Sequence, residues 1–515
     1  LHDLNVLFKE EKHAIFIFET GGIKMEELAL KLNNVQISFG DKEIFDTKEL
    51  TVYQNDRIGI VGKNGQGKTT LLNIIAGTIT PDNGKIERFV DFNYFQQIGE
   101  LKEETNADYL DSQLLSRLNV PTNSVETLSG GEQSKFRLVQ LLSQYKMGLL
   151  LDEPTTHVDK NGIDIMIEEL NYYYGTLIFV SHDRYFINAI ATKIWEIDNG
   201  KIKEFNGNYD QYLEQKQQEK LELQRKYQKV TKEKGRLQEA VEVKKSQAKK
   251  ISIVSEKNKQ RNIKPNRLAS TKQKDTVQKS MLKTVKSIEK RMDMLEEVHI
   301  EKDPKPISFP IVKELEINNR FPIMGHNITV TAGDNILLAE QDFQFPLGKK
   351  IAIVGDNGVG KSTFLHYLMN NQDGITLSSK IVFCTYKQMD YKMSGDISIL
   401  EYLMKMSEYK ESFIRAILSN LGFEEAAIRK PLHALSGGEA TRISLAALFA
   451  KPSNVLILDE PTNFIDLATI EALEKFLLGY KGTVLFTTHD QLIVERVADQ
   501  IWEIKDKTLQ LIKEK

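Results

Sequence analysis

Two octapeptides of the form G-x-x-x-x-G-K-[ST] stand 293 residues apart, GKNGQGKT from Gly62 and GDNGVGKS from Gly355. Each follows a β-branched run (Arg57 to Val61, Lys350 to Val354) and opens an apolar segment of helical pattern. A strand, glycine loop and helix in that order suit a triphosphate. The glycines let backbone N–H groups wrap phosphate oxygens, and the helix N-terminus adds a favourable dipole. Lys68 and Lys361 are placed to reach the β- and γ-phosphates, and Thr69 and Ser362 offer hydroxyls to Mg²⁺. Asn64, Gly65, Gly67 and Thr70 complete the first cradle, and Asn357, Gly358, Gly360 and Thr363 the second.

Downstream of each loop the same groups recur. Asp152 and Asp459 end apolar strands, where a carboxylate can hold the metal through water. Glu153 and Glu460 follow at once, placed to polarise the attacking water as general base. His182 and His489 would orient that water and contact the γ-phosphate. An LSGGE turn supplies Ser129, Gly130, Gly131 and Glu132 in one copy, and Ser436, Gly437, Gly438 and Glu439 in the other. Turn serine to aspartate is 23 residues in both copies, and glutamate to histidine is 29 in both. Even the trailing strands match, IWEIDNGKIKEF at Ile194 against IWEIKDKTLQLI at Ile501, so the chain is an internal duplication. Gln97 and Gln388, in FNYFQQ and FCTYKQ, fit metal- and water-sensing glutamines, with Gln96 adjacent to the first.

Elements that position these groups must be α/β layers, used twice. A length of 515 residues suits two or three domains. The single cysteine, Cys384, excludes an internal disulfide framework and agrees with a reducing cytosol. No window approaches the roughly 20 apolar residues of a membrane span. The expected division is residues 1–24 without assignment, 25–208 and 301–515 as the two ATPase domains, and 209–300 as a helical linker. Residues 1–24 open on a leucine and read as translation from an upstream start or as an unprocessed leader.

The net charge of −3 conceals an asymmetry. From Gln211 to Lys290 there are 23 Lys and Arg against 9 Asp and Glu, which leaves 46 against 63 for the remainder. In that segment Leu223, Tyr227, Val230, Leu237, Val241 and Ala248 follow 4/3 spacing, and Met281, Val285, Ile288, Met292 and Leu295 repeat it. The pattern predicts an antiparallel helical hairpin joined around residues 249–275. Its first helix, of about 35 residues, would extend about 50 Å. Lys244, Lys245, Lys249, Lys250, Lys257, Lys259, Arg261, Lys264 and Arg267 crowd the joining region, and no Phe, Trp or Tyr occurs from 228 to 308. Such a surface favours phosphate and folded RNA over base stacking; the plainer alternative is a solvated charged face.

These motifs resemble the ABC ATPase superfamily from about residue 26 to the end, apart from the hairpin. The resemblance implies a head-to-tail sandwich binding two ATP. Lys68, Asp152, Glu153 and His182 would then face Ser436 to Glu439, and Lys361, Asp459, Glu460 and His489 would face Ser129 to Glu132. Phe39 fits the family's adenine-stacking position, where the second copy has Ala332, so weaker or base-tolerant binding is expected at site two. Phe39 as a core residue is the alternative.

Two cassettes without a membrane span, joined by a basic linker reading SQAKK, NRLASTKQKDTVQKS and SIEKRMDMLEEV, resemble the ABC-F family, specifically its Msr-type macrolide and streptogramin B resistance group. That resemblance implies a cytoplasmic monomer with ATP and Mg²⁺ as ligand and cofactor. Its partner would be the 70S ribosome, where the hairpin enters the E site and approaches 23S rRNA and P-site tRNA. Gln97 to Ser129 spans 32 positions against 48 for Gln388 to Ser436, so the first cassette lacks the extra arm common in housekeeping members. Three rivals remain. A housekeeping translation factor differs only in what the hairpin does, an exporter ATPase needs a separate permease, and an SMC-type ATPase would carry its coiled coil inside one cassette.

Overall fold

Arg57–Gly62 and Lys350–Val354, which deliver the two phosphate loops, each run in the interior of a six-stranded sheet. The computed structural model describes residues 14–19, 22–40, 42–96, 110–118, 120, 130–156, 158–260, 271–295, 307, 309–310, 315–386, 395–463 and 465–515. The first cassette opens with β1 (Ala14–Glu19), β2 (Gly22–Phe39), β3 (Lys42–Tyr53), β4 (Arg57–Gly62), α1 (Lys68–Ala76), β5 (Asn83–Arg88) and β6 (Phe92–Phe95). It continues through α2 (Ser112–Arg117), α3 (Gly130–Ser143), β7 (Gly148–Asp152), α4 (Lys160–Tyr172), β8 (Thr176–Val180), α5 (Arg184–Ile190), β9 (Lys193–Asp198) and β10 (Lys201–Asn206). Two helices follow, α6 (Tyr209–Gln260) and α7 (Thr271–Asp293).

The second cassette contains β11 (Ile323–Ala332), β12 (Asn335–Phe345), β13 (Lys350–Val354), α8 (Lys361–Met369), β14 (Ile375–Leu377), β15 (Phe383–Tyr386), α9 (Ile399–Met406) and α10 (Glu411–Asn420). It closes with α11 (Gly437–Ala450), β16 (Val455–Asp459), α12 (Leu467–Gly479), β17 (Thr483–Thr487), α13 (Gln491–Val497), β18 (Gln500–Lys505) and β19 (Thr508–Glu514).

The duplication is visible in the sheets. β6-β7-β8-β4-β9-β10 and β15-β16-β17-β13-β18-β19 have one order, parallel except for the last strand of each. β7 and β8 are buried at every position, as expected where helices cover both faces of a parallel sheet. A smaller antiparallel sheet accompanies each, β1-β2-β3 with β5 on β2, and β12-β11-β14. β1 pairs with the start of β2, so an ordered strand lies within residues 1–24, to which the sequence assigned no domain.

The chain forms two compact units, Leu1–Tyr212 with Pro304–Lys515, and Leu213–Asp303. Within the second unit the helices run antiparallel, with Lys245 bonded to Glu289 at 2.8 Å and Glu233 to Arg291 at 3.2 Å. Two expectations need correction. α6 is 52 residues, longer than the 35 expected, and continues to Gln260, into the region assigned to the joint. Residues 249–260 contain no glycine or proline, and Pro265 is the first strong breaker. Nor does the seam use every apolar position: Leu237, Val241 and Val285 are buried, whereas Leu223 and Tyr227 are exposed. α7 has only 23 residues and cannot cover the whole of α6. No helix among the described residues is long and apolar enough to cross a membrane.

Candidate active site

The phosphate loop is shaped by its glycines. Gly65 and Gly67 hold φ of 78° and 93°, and a Cβ on Gly67 would lie 2.3 Å from Ile44 Cγ2. No side chain caps α1 or α8, so the N–H groups of their first turns can serve an anion. The Lys68 ammonium donates to the carbonyls of Gly62 at 2.8 Å and Lys63 at 3.2 Å. Lys361 repeats this with Gly355 at 2.8 Å and Asp356 at 3.0 Å. Burial lowers the pKa of both lysines, opposed by the carboxylates nearby.

Those carboxylates stand at strand ends. Asp152 closes β7 and Asp459 closes β16. Glu153 and Glu460, next in the chain, adopt φ of 51° and 46°. A left-handed non-glycine residue carries strain of about 1–3 kcal/mol and marks a position held by its surroundings. Burial pushes both glutamates up to about 7, with Lys68 and Lys361 opposing. His182 donates its N–H to Glu153 Oε2 at 3.1 Å, while its Nε2 lies 3.2 Å from Glu153 Oε1 and 3.2 Å from Asn64 Oδ1. Burial first, then Lys68, depresses His182 to about 3, so its imidazole is neutral. His489 Nε2 approaches Glu460 Oε1 at 3.3 Å. Each site thus places a neutral histidine or its counterpart against a carboxyl that titrates near neutrality, a pairing suited to proton transfer from water.

The two cassettes meet at this chemistry. One cavity of about 510 Å³ is lined by Phe39, Lys68, Thr69, Glu153 and His182 from the first cassette and by Gly438, Asn463 and His489 from the second. Asn64, Gly65, Gly67, Thr70 and Asp152 also line it. Phe39, half exposed at the end of β2, faces this space and not the core. The Asn64 N–H donates to Asp466 Oδ2 of the second cassette at 3.0 Å. A Cβ on Gly438 would lie 3.3 Å from Asn64 Cβ, so glycine permits that approach. The LSGGE turn beside it is a capping box. Ser436 accepts the Glu439 N–H at 3.3 Å, and Glu439 Oε2 accepts the Ser436 N–H at 3.0 Å, which starts α11 with Gly437.

In the first copy Gly130, Gly131 and Glu132 form the first turn of α3, while Ser129, Gln97 and Gln388 lie outside the described residues. Asp159, at the N-cap of α4, accepts from Gly162 N at 2.9 Å and Lys135 Nζ at 3.0 Å. It also lies near enough to Lys361 and His489 to shift with them. The sequence reading does not single out Asp159 and Asp466, although they end the matching strings LLLDEPTTHVD and LILDEPTNFID. Their recurrence at one offset, 7 residues after Asp152 and after Asp459, is the signal that could have found them.

Mg²⁺ suits site one. Asp152 Oδ1 is buried with no hydrogen-bond partner among the described residues, and the Thr69 hydroxyl bonds the same carboxylate. In the hairpin, Lys244 is half-buried, Lys245 is paired, and Lys249 and Lys250 are exposed. Lys257 and Lys259 lie on α6, whereas Arg261, Lys264 and Arg267 lie outside the described residues.

A family model described as ABC transporter matches residues 45–156 and 338–463, and another of the same description matches 195–276. The chain is 44% identical over 486 residues to the erythromycin resistance ATP-binding protein MsrA of Staphylococcus epidermidis, covering 94% of this chain and 99% of that one. It belongs to the ABC-F family of ATPases. This ABC-F chain is an ATP hydrolase. It is also 33% identical to the ribosome protection protein VmlR of Bacillus subtilis, over 92% of its own length and 86% of that protein's. Among solved structures, the archaeal ribosome recycling factor aABCE1, in complex with a ribosomal stalk protein, aligns with a TM-score of 0.62 over 93% of this chain and 89% of that one. At 17% identity, that likeness concerns the fold alone.

Proposed function

We propose that this ABC-F ATPase is a cytoplasmic, monomeric ribosome-protection factor. It binds the 70S ribosome at the E site, and closure on two ATP sets its hairpin near P-site tRNA and the peptidyl transferase centre of 23S rRNA. Bound antibiotic, a macrolide or streptogramin B, is thereby released. The observation that carries this reading is one cavity lined by Lys68 and Gly438, residues 370 positions apart in two cassettes, in a chain whose basic residues gather on a separate hairpin. The names of two relatives, one for erythromycin resistance and one for ribosome protection, support it. The domain division expected from the sequence stands as part of the proposal.

In this mechanism Lys68 and Lys361 exchange loop carbonyls for phosphate oxygens. Glu153 and Glu460 each accept a proton from the attacking water, which suits carboxyls held near 7. His182 and His489 hold those carboxyls in place and orient the water. Asp466 fixes the Asn64 backbone, so the second cassette helps to set the first phosphate loop. Thr69 and Asp152 at one site, and Ser362 and Asp459 at the other, with Gln97 and Gln388 nearby, would hold Mg²⁺, which would supply neutralisation of the phosphate charge. Only the closed state need bind the ribosome well, so nucleotide shifts a population.

The test is sedimentation of the Glu153→Gln, Glu460→Gln protein with 70S ribosomes and ATP, with and without bound macrolide. Co-sedimentation with loss of drug is expected. Co-sedimentation with drug retained favours a housekeeping factor, and no binding at all overturns the ribosomal reading.

A further inference from the structure

Val180 and Thr487 occupy one place in the two cassettes. The strand register sets Asp152 opposite Val180 and Asp459 opposite Thr487. Both side chains are buried, Val180 at 1% exposure and Thr487 at 0%, and they differ by a methyl against a hydroxyl. Thr487 Oγ1 donates to Asp459 Oδ1 at 2.7 Å and accepts the Glu460 N–H at 3.0 Å. In the first cassette the Glu153 N–H goes instead to the Val180 carbonyl at 2.9 Å. Asp152 Oδ1 has no hydrogen-bond partner among the described residues.

We propose that Thr487 is a positioning residue that makes the two nucleotide sites unequal, because its hydroxyl fixes the Asp459 carboxylate and the Glu460 backbone together. The inference rests on reading Asp152 and Asp459 as metal-holding and Glu153 and Glu460 as bases. A hydrogen bond to a carboxylate is stronger than one between neutral groups. A threonine in a strand has few χ1 choices, so little entropy is lost in making it. With one oxygen held by Thr487, the Asp459 carboxyl cannot rotate freely, and its other oxygen keeps one aim. The shared hydroxyl also couples the two acids, since displacing Asp459 disturbs the support of Glu460. Site one has no such anchor from β8. There the Asp152 carboxylate is bonded by the Thr69 hydroxyl of the glycine loop, while its Oδ1 has no hydrogen-bond partner among the described residues. Site two is therefore the tighter divalent-metal site.

Mn²⁺ binding tests this in the Glu153→Gln, Glu460→Gln protein with a non-hydrolysable ATP analogue, with free Mn²⁺ read by electron paramagnetic resonance. Two classes of site are expected, separated by about tenfold or more, tenfold being the lower end of what a hydrogen bond to a charged group contributes. Thr487→Val should weaken the tighter class to match the other, Thr487→Ser should preserve it, and Val180→Thr should tighten the weaker class. Val180 in the same buried place shows that valine fits, and an unchanged melting temperature would confirm folding of each variant. A single class in the parent protein, or a Thr487→Val isotherm that superimposes on the parent's, overturns the proposal. Asp459→Asn separates the two readings. If it leaves the tight class intact, Asp459 does not hold metal and the underlying reading fails. If it abolishes that class while Thr487→Val changes nothing, only the role of Thr487 fails.

Discussion

Arg184 and Glu474, 290 positions apart, form a buried ion pair between the two cassettes. Arg184 Nη2 also lies 3.3 Å from Asp490 Oδ2, and Arg496 Nη1 lies 3.4 Å from Glu474 Oε2. Burial disfavours the Arg184 charge, but Asp490 and Glu474 outweigh it and raise the pKa. The pair is one-sided. Gln491 stands where Arg184 would repeat, and Ile167 where Glu474 would, so the duplication does not generate a second copy.

Arg184→Met should therefore destabilise the protein by about 3–5 kcal/mol, because Glu474 keeps its burial and loses its nearest cation. Arg184→Met combined with Glu474→Leu should recover most of that loss. Thermal melts of the single and double variants read the difference. Equal melting temperatures for Arg184→Met and the parent would show that the pair contributes nothing to the interface.

Replacing both proposed bases, Glu153→Gln with Glu460→Gln, should slow ATP hydrolysis by roughly 10²- to 10⁴-fold at saturating nucleotide. Phosphate release measures this directly. A fall of less than threefold would move the base to another residue.

The same two carboxyls predict a stability profile for metal-free, nucleotide-free protein. Burial raises each in the folded state from 4.5 to about 7. Between those values the folded protein keeps protons that the unfolded chain has released, so stability falls as pH rises through the window. The cost is complete above pH 7 and is on the order of 3 kcal/mol per carboxyl. The double glutamine variant should thus melt higher than the parent at pH 8, with the gap closing towards pH 5. A gap that is constant with pH would mean that these carboxyls titrate normally.

Phe39→Ala should weaken adenine nucleotide binding at site one by about 2- to 12-fold, the range of an aromatic contact worth roughly 0.5–1.5 kcal/mol. Site two, with Ala332, should be the weaker site for the base in the parent protein. A fluorescent ATP analogue titrated with both proteins decides it, and unchanged affinity would leave Phe39 without a stacking role.

Charge reversal at Lys249 and Lys250, both exposed on α6, should weaken ribosome binding and flatten its salt dependence. For every phosphate no longer neutralised, the slope of log K against log salt should fall by about 0.7–0.9. Binding that weakens with an unchanged slope would point to a structural effect of the substitutions.

Much of the architecture is legible because its motifs are local. Strand, glycine loop and helix follow one another within a few residues, as do the capping box of Ser436 and Glu439 and the Asp459–Glu460 pair, so residue types and spacing suffice. The expected length of α6 is too short because the charged residues that interrupt its apolar pattern are good helix formers, and nothing breaks the helix before Gln260. Leu223 and Tyr227 fall outside the seam because periodicity marks a face and does not show how far the partner helix extends.

By itself the sequence determined the two α/β cassettes, the phosphate loops, the acids and histidines, and the basic hairpin. Each depends on backbone geometry or charge that a short segment carries wherever it is placed. Only the tertiary structure decided the rest: Asp466 on the Asn64 N–H, Gly438 against Asn64, Arg184 on Glu474, and the Thr487 hydroxyl on Asp459. These contacts join groups from 28 to 402 positions apart. Their partners are chosen by strand register and by the packing of one cassette on the other, which a local pattern does not encode.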